Sequence, residues 1–128
     1  MKVSLLTLCA LFAITLLDGC KSDHRSVTRE LVIGTYVYKS DGPSRESLSQ
    51  FLSCPIGVRL ILHENGKYEL ITAEPTKPGS LITGRWVFRD GDPASVDLDH
   101  SDYPIEIHGD IIRLVIDNDV GARYEKLR

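Results

Sequence analysis

From Leu31 onward, apolar and polar residues alternate with a period of two rather than 3.6. Eight runs carry this alternation, at residues 32–39, 58–63, 67–72, 81–89, 95–99, 104–108, 111–116 and 121–127. Val, Ile, Tyr, Thr and Phe recur in them, and they read as strands. The intervals between them hold turn-forming residues. Asn65-Gly66 is a hairpin signal whose two positions are expected at positive φ. Gly109-Asp110 marks a second tight hairpin, and Asp90-Gly91-Asp92-Pro93 and Asp117-Asn118-Asp119 mark further turns. One stretch has a helical look. In 44–53, Leu48, Phe51 and Leu52 fall on one side, giving one short helix or an irregular lid between strands 1 and 2.

One register places Tyr36, Tyr38, Val58, Leu60, Leu62, Tyr68, Leu70, Trp86, Phe88, Val96, Leu98, Ile105, Ile107, Ile112, Leu114, Ile116 and Tyr124 on the inner face. The other register holds Arg59, His63, Glu69, Arg85, Arg89, Asp97, Asp99, Glu106, His108, Arg113, Arg123 and Glu125. One apolar and one charged face on consecutive hairpins predict an all-β fold. The expected form is an eight-stranded antiparallel up-and-down barrel, because closure removes the exposed edges of an open sheet. A flattened two-sheet sandwich of the same strands is the alternative.

The first nineteen residues follow a different pattern. Lys2 precedes an uncharged run from Val3 to Leu17, which is too short for a spanning helix of ~20 apolar residues. Residues 1–19 therefore read as a secretory signal peptide. Its end, Leu17-Asp18-Gly19-Cys20, resembles the cleavage box of bacterial lipoproteins at Leu17, Gly19 and Cys20, and departs from it at Asp18. The resemblance implies lipidation at Cys20, with acyl chains such as palmitate that together hold a protein stably on a membrane. Lys21 stands where aspartate often retains such proteins in the inner membrane. The resemblance thus implies the periplasmic face of the outer membrane in the cell envelope. The alternative is an ordinary secreted protein cut near Gly19. Residues 20–30 read as the lipidated cysteine and a flexible, solvated tether, and 31–128 as the barrel domain.

The barrel segment also resembles a family. Gly34-Thr35-Tyr36 opens it, and the run from Leu60 to Leu70 passes through Asn65-Gly66. Gly84-Arg85-Trp86 follows, then Ile105-Glu106-Ile107, Ile112-Arg113-Leu114 and a closing Tyr124. This order is similar to that of small lipocalin-like bacterial lipoproteins. Copper-resistance lipoproteins with a similar barrel carry a Cys-x-x-Cys before the second strand. Here Phe51-Leu52-Ser53-Cys54 stands there, with the first cysteine missing. That departure removes most of the case for a copper or redox role.

Composition narrows the function further. Lys plus Arg is 15 against 18 for Asp plus Glu, a net charge of −3, which argues against a nucleic-acid partner. With Cys20 lipidated, Cys54 is a lone thiol expected to be buried; without lipid, a Cys20–Cys54 disulfide is open to it. Asp97, Asp99 and Asp102 around His100 fail the calcium-hand spacing and read as a solvated acidic turn. His63, His100 and His108 lack zinc-site spacing, and His63 and His108 read as exposed strand residues. Glu106 and Asp97 are candidate paired carboxylates across neighbouring strands, of the ordinary wet-face kind. No serine has a nucleophile-elbow context, so no catalytic residue, metal or cofactor is expected. The inward aromatics Tyr36, Tyr38, Tyr68, Trp86 and Tyr124 read first as core and otherwise as the lining of a ligand site.

The expected function is a non-enzymatic, lipid-anchored envelope protein acting as a binding or interaction module. Its partners would be the membrane, through the N-terminal lipid, and an envelope protein meeting the rim at 40–55. A barrel binding a small apolar ligand is the alternative, which an internal cavity above ~300 Å³ would favour.

Overall fold

The computed structural model describes residues 26–52, 54–73, 78–99 and 101–128. The signal peptide, Cys20 and His100 lie outside them. The chain enters through a single helical turn, α1 (Arg29–Val32), and forms β1 (Gly34–Lys39), α2 (Arg45–Leu52), β2 (Arg59–Leu62) and β3 (Lys67–Ile71). It continues through β4 (Leu81–Arg89), β5 (Ser95–Leu98), β6 (Ser101–His108), β7 (Ile111–Asp117) and β8 (Ala122–Lys126). Each strand pairs antiparallel with the next, and β8 returns to β1 to close the barrel, with Tyr38 opposite Tyr124. The expected up-and-down barrel is the observed one, with the helix between strands 1 and 2 formed.

Two strands divide their length between neighbours. On β4, residues 81–85 pair with β3 and 86–89 with β5. On β6, residues 101–104 pair with β5 and 105–108 with β7. Pro104 falls at that change of partner, where its missing N–H interrupts least. β6 therefore begins before the proline, three residues earlier than the sequence indicates.

The inner register holds where strands are regular. Tyr36, Leu60, Leu62, Tyr68, Leu70, Trp86, Val96, Leu98, Ile105, Ile112, Leu114 and Tyr124 are buried. Tyr38, Phe88, Ile107 and Ile116 are half-buried toward the strand ends. Val58 departs from the expected register: β2 starts one residue later, and Val58 stands at the rim, 44% exposed. Val32, Leu48, Ile56, Ala94, Tyr103 and Ala122 complete the core from positions that alternation did not select. The tether also ends earlier than expected, because Val27 packs against the core and Val32 is fully buried.

The β2–β3 turn differs from the expected geometry. Gly66 has φ +85°, whereas Asn65 is not in the left-handed region. Gly66 N–H donates to His63 O at 3.1 Å, and His63 N–H donates to Lys67 O at 2.9 Å. That is a three-residue loop in which only the final glycine needs positive φ. The Asn65 side chain contributes otherwise, its Oδ1 accepting Lys67 N–H at 3.1 Å.

Candidate functional site

The antiparallel order puts α1, the β2–β3 turn and the β6–β7 turn at one end of the barrel. It puts α2 and the β7–β8 turn at the other. At the α1 end, four long side chains fasten the cap to the wall. Tyr36 OH donates to Val32 O at 2.6 Å, and Lys126 Nζ donates to Leu31 O at 2.7 Å. Arg29 donates to Glu64 O at 2.8 Å while its guanidinium lies over the Trp86 ring. The Trp86 indole N–H donates to His63 O at 2.8 Å, tying the hairpin to the same point.

The α2 end is built differently. Helical spacing turns Leu48 inward to 3% exposure, with Leu52 half-buried beside it. Phe51 was expected on the same side, but three residues on from Leu48 it points outward and is 80% exposed. The helix and the chain behind it bond to each other. Arg45 Nη1 donates to Ile56 O and Ser49 Oγ donates to Cys54 O, both at 2.8 Å. Ser44 Oγ accepts Ser47 N–H at 3.3 Å at the helix start.

Beneath α2, Tyr124 stands edge-on to Tyr38 and Tyr103, with ring centres at 6.5 and 5.9 Å. Tyr124 oxygen accepts Gly57 N–H at 3.0 Å. Burial pushes its phenol well above the usual range, and Tyr103 adds to this, while the Gly57 bond opposes it. Burial likewise raises the Cys54 thiol, which is free and half-buried rather than the fully buried group expected.

The five aromatics singled out in the sequence do not line one site. Tyr38 and Tyr124 belong to the α2 end, whereas Tyr36, Tyr68 and Trp86 belong to the α1 end. Their polar atoms have protein partners: besides those above, Tyr68 OH donates to Asp99 Oδ2 at 2.8 Å, and Tyr38 OH donates to Pro43 O at 3.4 Å. Burial and then the Asp99 hydrogen bond push the Tyr68 phenol up to about 12. Tyr103 was missed because the proline after it reads as a strand breaker, although it lies two residues before Ile105 in the same alternation.

The outer wall carries the charge. Glu125 accepts Lys39 Nζ at 3.2 Å and Arg123 Nε at 3.4 Å, with Arg113 Nε at 3.5 Å. Burial alone would raise its carboxyl, but the Lys39 bond and charge and the two guanidinium groups hold it below the usual range. His63 pairs with Glu69 at 2.6 Å, and His108 with Glu106 at 3.0 Å. Asp97 lies opposite Asp102 and bonds Arg89, while Glu106 lies opposite Arg113, so the expected Glu106–Asp97 pair is not formed. Among the described residues, no three His, Cys, Asp or Glu side chains are grouped to hold a metal ion. A shallow open depression of about 480 Å³, lined by His63, Glu64 and Asn65, lies at the β2–β3 turn.

These features define a closed eight-stranded barrel with an unlike cap at each end. Compared with protein-family models, curated proteins and solved structures, the chain has no match in any of the three.

Proposed function

We propose that this protein is a non-enzymatic, lipid-anchored envelope protein whose barrel presents the α2 end to a protein partner. The anchor is Cys20, and the place is the periplasmic face of the outer membrane. The observation that carries the partner surface is Phe51. Its phenyl ring is 80% exposed on a helix whose other apolar residues face the barrel, so it is free to serve as an anchor for a partner. Aromatic side chains are also frequent anchors of protein interfaces. The chain enters the barrel at the opposite end, so the attachment of a tether does not cover α2. The titratable pairs lie on the wet outer wall, in keeping with a binding role rather than catalysis.

Crosslinking in whole cells tests the surface. A partner crosslinked to the native chain should be retained by Arg85→Ala, on the outer wall, and lost with Phe51→Ala. Equal capture by both variants defeats the surface. Mass spectrometry of the membrane fraction tests the anchor. The mature N-terminus should be an acylated Cys20, and an unmodified terminus overturns it.

A second reading, a binder of small apolar molecules, draws support from the three tyrosines converging under α2.

A further inference from the structure

The two caps differ in what holds them. At the α1 end, Tyr36, Arg29 and Lys126 reach from wall to cap or from cap to wall. At the α2 end, among the described residues, hydrogen bonds of the helical unit run within it, from Arg45 to Ile56 and from Ser49 to Cys54. Its polar ties to the wall sit at its two margins. Asp41 pairs with Arg123 at 3.2 Å and Pro43 O accepts Tyr38 OH on one side, and Gly57 N–H donates to Tyr124 on the other. Between those margins, among the described residues, the unit rests on the apolar contacts of Leu48, Leu52 and Ile56. A segment bonded to itself and hinged at its ends can leave as one body without breaking its own hydrogen bonds.

We infer that α2 is a lid that opens while the barrel stays folded, and that the α1 end remains plugged. An open lid gives access to the edge-to-face set of Tyr38, Tyr103 and Tyr124, where a ligand's acceptor can take the Gly57 N–H in place of the Tyr124 oxygen. That surface suits a small flat apolar molecule bearing one hydrogen-bond acceptor. This goes beyond the partner surface and does not depend on it.

Two fully buried phenols report on the two caps: Tyr124 bonds Gly57 under α2, and Tyr36 bonds Val32 under α1. N-acetylimidazole acetylates tyrosines that reach solvent, and peptide mapping reads each site. In the native chain, Tyr124 should acetylate about ten-fold faster than Tyr36, with a rate nearly independent of low urea. Leu48→Ala, which loosens the lid, should speed Tyr124 several-fold further and leave the ratio of Tyr36 acetylation to global unfolding unchanged. If Tyr124 and Tyr36 react at one rate with the urea dependence of global unfolding, there is no separate lid and the inference is overturned. An unchanged Tyr124 rate in Leu48→Ala overturns it as well. Phe51→Ala removes the proposed partner anchor without touching the lid's inner face. It should leave Tyr124 acetylation unchanged, so failure of the partner surface and failure of the lid are separately visible.

Discussion

The guanidinium of Arg29 lies 4.6 Å from the centre of the Trp86 ring. It joins the first described turn of the chain to the middle of β4. Arg29 also bonds Glu64 O, so one side chain holds the α1 cap, the β2–β3 turn and the core together. Arg29→Ala should cost about 1–2 kcal/mol, more than an ordinary surface substitution. Trp86 is the only tryptophan, so its fluorescence should shift to the red as the ring gains water. An unchanged spectrum and urea midpoint would count against the contact.

Trp86 itself is 3% exposed, whereas Arg85 beside it faces solvent. Trp86→Ala should cost about 3–5 kcal/mol through the cavity it leaves. Arg85→Ala should stay within about 0.5 kcal/mol. Urea melts monitored by circular dichroism check both, and similar losses would mean that β4 does not present alternate faces.

The β2–β3 turn separates backbone strain from lost bonds. Gly66→Val forces a branched side chain to φ +85° and should cost more than about 1 kcal/mol. Asn65→Ala removes only the Oδ1 bond to Lys67 N–H and should cost about 0.5–1 kcal/mol. The reverse order in thermal melts would indicate that Asn65, not Gly66, holds the left-handed conformation.

Stability should fall at both extremes of pH, for opposite reasons. Burial raises the phenols of Tyr36 and Tyr124, and burial with the Asp99 bond takes Tyr68 to about 12. The fold therefore favours their neutral forms. Their contribution is complete below the ordinary tyrosine value of ~10 and drains away as pH rises above it. Glu125 behaves in the opposite sense, because its folded carboxyl is held low despite burial. Its contribution is complete above the ordinary glutamate value of ~4.3 and is lost as pH falls below it. Urea midpoints across pH 3–11 should show both losses, and Glu125→Gln should remove part of the acid one. An acid limb identical in Glu125→Gln would assign that loss to other carboxylates.

Strand alternation was the most legible feature. β4 spans residues 81–89 as read, because its neighbours on both sides are regular hairpins. The helix at 44–53 was legible too, but not its facing. Leu48 and Leu52 lie four apart and share the inner side, which leaves Phe51 outside. Tyr103 was hidden by Pro104, whose cost vanishes only because β6 changes partners there, a fact of topology rather than of local sequence. Ile56 entered the core from a connecting segment and Val32 from the α1 turn, which takes the place of the start of the expected first strand, and period-two reasoning applies to neither. Arg29 was hidden in a polar stretch, and only the fold brings Trp86 beneath it.

The pairing of β1 with β8 has a consequence for how the chain is made. Strand partners for the first β-strand lie on both sides, and one of them is β8, the last strand of the barrel to be made. Until residues 122–126 emerge, β1 and β7 each present a row of unsatisfied amides and carbonyls. A nascent or C-terminally clipped chain is thus an open, adhesive sheet, prone to join its neighbours edge to edge. Residues 122–126 convert it into a ring without ends, and in doing so they protect every barrel strand made before them.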